Sequence, residues 1–132
     1  MNTNKKIQIA HIIPKMNYGG VETAIQKSHK ELNALFDYRI FTAKNKGEIN
    51  IGQQGIITFL LNILFKRYNP DLVITSLWWS HPFGLLLKLF GYKWVSFFHS
   101  AASTHYINKY ITLIAAKYSD ACLVDSSETE KF

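Results

Sequence analysis

Five short, nearly uninterrupted apolar runs are spaced along this chain, with helix-length segments between most of them. They cover residues 6–13, 38–42, 71–76, 93–98 and 120–124. A strand that is apolar on both sides belongs in a parallel sheet whose two faces are both covered. The alternation therefore predicts an open parallel α/β sheet with helices on both faces, right-handed crossovers and the first strand central.

The segments between the runs fit this plan. After the first run, Val21, Ala24, Ile25, Ser28, Leu32 and Leu35 recur at helical spacing and give one inward face. Residues 44–54 are polar and glycine-bearing and read as a loop. Residues 55–68 read as a helix that is apolar nearly all round, stopped by Asn69-Pro70. Such a helix packs against the sheet, with Lys66 and Arg67 at a polar rim; a peripheral membrane contact is the alternative. Trp78 to Pro82 reads as a loop opening a helix that runs to about Phe90, with Gly91 as its C-cap. Residues 105–118 form a further helix. Ser126, Ser127, Glu128 and Glu130 look like a helix start, with a serine cap and early acids. The chain stops a few residues into that helix, so we expect a truncated piece of a longer protein.

Composition narrows the function. The 132 residues suffice for one domain, and a 48% apolar fraction suffices for a core. Fifteen Lys and Arg against nine Asp and Glu give a net charge of +6. That balance suits phosphate-bearing molecules or an anionic surface. The basic residues are scattered, with no zinc-finger spacing or recognition-helix pattern, so no nucleic-acid partner is expected. The single cysteine, Cys122, lies in an apolar run and reads as a small buried hydrophobe in a reducing, cytoplasmic compartment. The polar start and the absence of ~18 consecutive apolar residues argue against a signal peptide or a membrane span.

In parallel sheets ligands bind where strands end. Three groups sit there: Gly19-Gly20, Trp78 to His81, and His99-Ser100. Glycines at a strand-to-helix corner let backbone approach a ligand, and the N–H groups of the next helix favour an anion such as phosphate. Plain turn chemistry explains such a pair as well. Glu22, in the first helical turn, is a capping residue or a ligand contact. Trp78 and Trp79 stack on a sugar or pack under their loop. His81 precedes Pro82 in a loop where function concentrates, and an acceptor role is open to it. His11, inside the first strand, reads as a satisfied core histidine, and His29 as a solvated helical one. No triad pattern or metal-ligand spacing is visible.

Four segments resemble the N-terminal domain of a family 4 retaining glycosyltransferase of the two-Rossmann (GT-B) kind. Ile9-Ala10-His11-Ile12-Ile13-Pro14 leading to Gly19-Gly20-Val21-Glu22 resembles that family's first strand and its glycine-glycine-x-glutamate turn. Asn69-Pro70-Asp71-Leu72-Val73-Ile74 resembles the start of its Pro-Asp-Val-Val strand. Ser96-Phe97-Phe98-His99-Ser100 resembles the strand that ends in a histidine. Residues 116–126 resemble its closing Ala-Asp-x-Val-Ile-Ala-Val-Ser strand. The family often carries histidines in the third strand, where this chain has Ile74 and Ser76. Its paired-glutamate motif lies in a second domain, outside these residues.

The resemblance implies a Rossmann-like domain, residues 1–132, forming the acceptor-binding half of an enzyme of bacterial surface-polysaccharide synthesis. It would move a sugar from a nucleotide-sugar donor to a glycan or lipid-linked acceptor, in the cytoplasm or at the inner face of the cell membrane. Gly19 and Gly20 would meet the donor diphosphate, with Glu22, His81 and Ser100 among the substrate contacts, and His99 would lie at the reacting centre. Transfer in this family needs no metal or other cofactor, because the site neutralises the leaving diphosphate directly. This piece alone is expected to be inactive, since both walls of the cleft are needed. The competing reading is a non-catalytic Rossmann-like binding module that docks a partner chain. A nucleotide-dependent oxidoreductase is weaker, because no glycine-x-glycine-x-x-glycine turn is present.

Overall fold

A computed structural model describes residues 5–17, 19–98 and 106–124. Its six strands are β1 (Gln8–Ile13), β2 (Asp37–Thr42), β3 (Gln54–Gly55), β4 (Leu72–Ser76), β5 (Trp94–Phe98) and β6 (Ala121–Val124). They form one all-parallel sheet in the order β3-β2-β1-β4-β5-β6. The first strand is central, as the apolar pattern predicts. The helices are α1 (Gly20–Leu35), α2 (Ile56–Leu64), α3 (His81–Leu89) and α4 (Tyr106–Tyr118).

The alternation of side chains along β1 splits the core in two. Ile9 and Ile13 join Ile25 of α1 on one face, with Tyr38, Ile40 and Met16. Ala10 and Ile12 join Phe59 of α2 and Leu87 of α3 on the other, with Phe41, Tyr68 and Val73. Helices thus cover both faces, but unequally among the described residues: α1 lies on the first, while α2, α3 and, beside α3, α4 share the second. Register places Ile74, Phe97 and Leu123 on the first face beyond α1, where Leu123 remains exposed.

Three features depart from the sequence reading. The loop over 44–54 contains β3, which pairs Gln54 and Gly55 with Phe41 and Thr42. The helix read over 55–68 ends at Leu64, several residues before Pro70. Its chain turns back on itself, with the Arg67 and Tyr68 N–H groups both donating to the Asn62 carbonyl (2.8 and 3.2 Å). Within that helix Phe59 is fully buried and Leu60 and Ile63 pack on the core, while Leu64 faces outward. Cys122 is exposed, not buried. It lies on β6, the edge strand among the described residues, with Ser96, Ser119 and Ala116 near its sulfur. The helix start read from Ser126 lies outside the described residues.

Among the described residues no helix is long and apolar enough to cross a membrane.

Candidate functional site

Because all strands are parallel, the ends of β1, β4 and β5 share one edge, and the described candidates Gly19, Gly20, Glu22 and His81 follow strand ends there. β1 ends at Ile13 and leads to Gly19, the N-cap of α1. Gly19 is extended (φ −143°, ψ 172°), and Gly20 begins the helix. Neither conformation requires glycine, so turn chemistry does not explain the pair. A Cβ on Gly19 would fall 2.5 Å from Glu22 Oε2, at the tip of a movable side chain, and a Cβ on Gly20 would meet nothing within 4 Å. The helix has no side-chain cap. Its first N–H groups thus have no hydrogen bond from the N-cap side chain, and unsatisfied N–H groups of this kind favour an anion. Glu22 folds back over Gly19 and belongs to this helix start.

Beside it lies an open groove of about 540 Å³. Gly20, Val21 and Ala24 line it from the helix, and Ile74, Phe97 and Leu123 line it from the sheet. His11 and Tyr38 form its floor. His11 is buried between two hydroxyls, with Nδ1 2.5 Å from Tyr38 Oη and Nε2 2.6 Å from Ser76 Oγ. The expectation of a hydrogen-bonded core histidine holds. His29 packs against the same tyrosine ring at 5.9 Å and is half-buried, not solvated. Burial pushes the Tyr38 hydroxyl well above its ordinary pKa.

At the end of β4 the chain makes a tight turn through Leu77, whose φ is +69°. Side chains rarely adopt that left-handed region, and such strain gathers at functional edges. The turn is closed by the Ser80 N–H donating to the Leu77 carbonyl at 3.0 Å. It projects Trp78 and Trp79, whose rings lie 5.4 Å apart. Trp79 is exposed, and the Lys44 ammonium sits 5.6 Å from its ring centre. Lys44 follows the end of β2, and its N–H donates to the Pro14 carbonyl at 2.8 Å. The edge above β1 therefore carries an exposed cation stacked on an exposed indole. Sequence reasoning missed both Lys44 and Leu77. Lysines are spread along the whole chain, and a leucine gives no sign of a positive φ.

His81 takes a different place from the one its loop position suggested. It is buried at the first turn of α3, with Nδ1 2.8 Å from Thr75 Oγ1 and its ring edge-on to Phe98 at 5.4 Å. The Trp94 indole N–H donates to that same Thr75 oxygen at 2.8 Å. The Thr75–His81 bond links the two ends of the Trp78–Trp79 turn. Gly84 of α3 is needed there, because a Cβ on it would overlap the Trp94 indole. β5 ends at Phe98 on the site edge. His99 and Ser100, the residues that follow, lie outside the described residues, as does His105. Among the described residues no group of three His, Cys, Asp or Glu could hold a metal ion.

No protein-family model matches this chain, and no curated protein matches it. The fold defines its class: a Rossmann-like α/β domain built on a six-stranded parallel sheet.

Proposed function

We propose that this chain is the acceptor-side half of a glycosyltransferase of the GT-B kind. The observation that carries the reading is the uncapped start of α1. Two glycines that no backbone torsion demands leave uncapped N–H groups beside an open groove. A helix-interior glycine costs about 1 kcal/mol relative to alanine, and Gly20, close to the helix start, bears part of that cost with no steric need inside the chain. Access for a ligand accounts for it. A diphosphate would take the N–H groups, Lys44 would add a cation, and Trp79 offers a face for a sugar ring. The groove beyond would take the acceptor, in the role the resemblance assigns, with His99 at the reacting centre.

Transfer needs a second wall to hold the donor, so the 132 residues alone are expected to show none. The test is binding. Uridine diphosphate added to the isotope-labelled chain should shift the amide resonances of Gly19, Gly20 and Val21 and the Trp79 indole. Gly20→Val should abolish the shifts while leaving the fold intact. Shifts scattered over the surface, or unchanged by Gly20→Val, would overturn the reading.

The second reading, a non-catalytic module bound to a partner chain, draws on the same groove, because its apolar lining of Ile74, Phe97 and Leu123 suits a helix as well as a ligand. No response to any nucleotide at the α1 start would favour it.

A further inference from the structure

β2 has a full partner on one flank alone. β1 pairs along its whole length, whereas β3 reaches only Phe41 and Thr42. The Asp37 and Ala43 N–H groups donate to the Ile7 and Ile13 carbonyls (2.9 and 2.8 Å). Backbone groups alternate in direction along a strand, so the odd-numbered residues bond towards β1, while Tyr38 and Ile40 aim theirs at the other flank. There the Tyr38 N–H donates to the Asn33 side-chain oxygen at 3.4 Å, a long bond. A groove of about 310 Å³ runs along this flank, between His29 and Asn33 of α1 and Ile51 and Gly52 of the loop before β3. A strand left open in this way is a template for another.

The charges on the open flank complement themselves. Asp37 and Arg39 share the sheet face of Phe41 and pair with each other at 3.1 Å, yet their side chains remain 30 and 45% exposed. An antiparallel copy of β2 must set outward-aimed residues against one another, so its register is centred on Asp37, Tyr38 or Arg39. Centring on Asp37 puts two carboxylates face to face, and centring on Arg39 does the same with two guanidiniums. Centring on Tyr38 sets Asp37 opposite Arg39 of the second copy, and Arg39 opposite its Asp37. Unlike charges directly opposite attract and like charges repel, so this register is selected. In it the Tyr38 N–H donates to the Tyr38 carbonyl of the second copy and the reverse, and the Ile40 N–H meets the Phe36 carbonyl. The end of α1, where Leu35 is 69% exposed, comes beside Ile51 and Gly52 of the second copy.

We propose that the open flank of β2 binds β2 of a second copy of this chain, joining the two sheets about a two-fold axis at Tyr38. Charge complementarity selects this occupant, because the order Asp37-Tyr38-Arg39 matches itself when reversed about its middle residue. Each copy gives up the long bond to Asn33 and gains ladder bonds, and its ion pair becomes part of a ring of two acids and two bases. The inference does not rest on the sugar-transfer reading. Asp37 and Arg39 lie where β2 begins, apart from Gly19, Gly20 and Lys44, which follow strand ends.

Analytical ultracentrifugation of the chain and of two charge-reversed variants tests it. The chain should show a monomer–dimer equilibrium, and amide exchange at Tyr38 and Ile40 should slow as the concentration rises. Arg39→Asp and Asp37→Arg should each raise the dimer dissociation constant about tenfold or more with circular dichroism unchanged, because each sets like charges opposite one another. Mixed together, the two variants should associate with each other about as tightly as the unaltered chain does with itself, since every facing pair is again unlike. A role of either residue in its own fold alone would not be rescued by mixing. A chain that stays monomeric at millimolar concentration would overturn the proposal, as would a dimer that neither variant weakens. So would variants that fail to associate when mixed, because the contact would then not follow this register.

Discussion

The two edges of the sheet each hold a side chain at positive φ, Leu77 where strands end and Lys66 where they begin, but they hold them by different means. Leu77 lies in a turn closed by the Ser80 N–H and spanned by the buried Thr75–His81 bond, with the Trp94 indole on the same hydroxyl. Lys66 is held by local backbone bonds at a helix end, with its side chain in water. The first edge is therefore rigid because of packing, as a site that must keep its geometry requires. The second has its backbone fixed locally and its side chains left free, which suits a surface that adapts to whatever it touches. The same unusual torsion thus marks a buried support on one edge and an exposed display on the other.

If that contrast is right, damage beneath the site edge costs most. His81→Ala would leave a void beside Trp94 and take away the partner of the Thr75 hydroxyl, a loss of about 2–4 kcal/mol. Urea unfolding measures it directly. A loss below about 1 kcal/mol would mean that the edge is not supported this way, and would return His81 to the list of ligand contacts.

A smaller effect belongs to the floor of the groove. Tyr38→Phe removes the hydroxyl facing His11 Nδ1 and should cost about 1–2 kcal/mol at neutral pH. The same residue gives the fold an alkaline limit. Burial raises the pKa of Tyr38, and of Tyr68 on the opposite face. Both hydroxyls stay protonated in the native state while the unfolded chain ionises near pH 10, so the unfolded state binds fewer protons there. Stability is complete below pH 10 and falls as the pH rises above it. Denaturation midpoints from pH 8 to 11 should show that decline, and Tyr38→Phe should flatten it. A midpoint independent of pH would show that both hydroxyls reach water.

Much of this architecture was legible in the sequence, and the exceptions share a cause. Strands such as Ile9 to Ile13 announce themselves because parallel-sheet burial demands apolar residues on both sides. Gly91 announces the end of α3 because glycine is the residue that takes its torsion without cost. β3 was hidden because Gln54 and Gly55 carry no pattern, and only the edge of β2 makes a strand of them. The end of α2 was hidden because lysine is a good helix former, so Lys66 gave no sign of a reversal. His81 read as a loop residue because it stands beside a proline, and its burial against Trp94 and Phe98, distant in sequence, gave no sign there. On the site edge the glycine pair could be read from the sequence. Lys44 and Trp79 meet only through the fold.

The finest test compares the ends of α2 and α3 directly, since they share one closure and differ in the residue at its centre. Lys66 and Arg67 donate to Ile63 and Asn62 (3.0 and 2.8 Å), while Gly91 and Tyr92 donate to Lys88 and Leu87 (2.9 and 3.1 Å). This closure puts one residue in the left-handed region: Gly91 at φ +96° in α3, and Lys66 at φ +56° in α2. Gly91→Ala puts a Cβ into the left-handed region and should cost about 1–2 kcal/mol. Lys66→Gly removes a Cβ from the same position and should gain up to about 1 kcal/mol, less the added freedom of glycine in the unfolded chain. Opposite signs from matched positions would show that the backbone sees the two ends as equivalent and that lysine is kept at a cost in stability. Thermal melts of both variants are sufficient, because a change of 1 kcal/mol moves the midpoint of a domain of this size by roughly 3–6 °C. If Lys66→Gly proved destabilising, the lysine would be contributing to the fold, and the two helix ends would not be equivalent despite their shared closure.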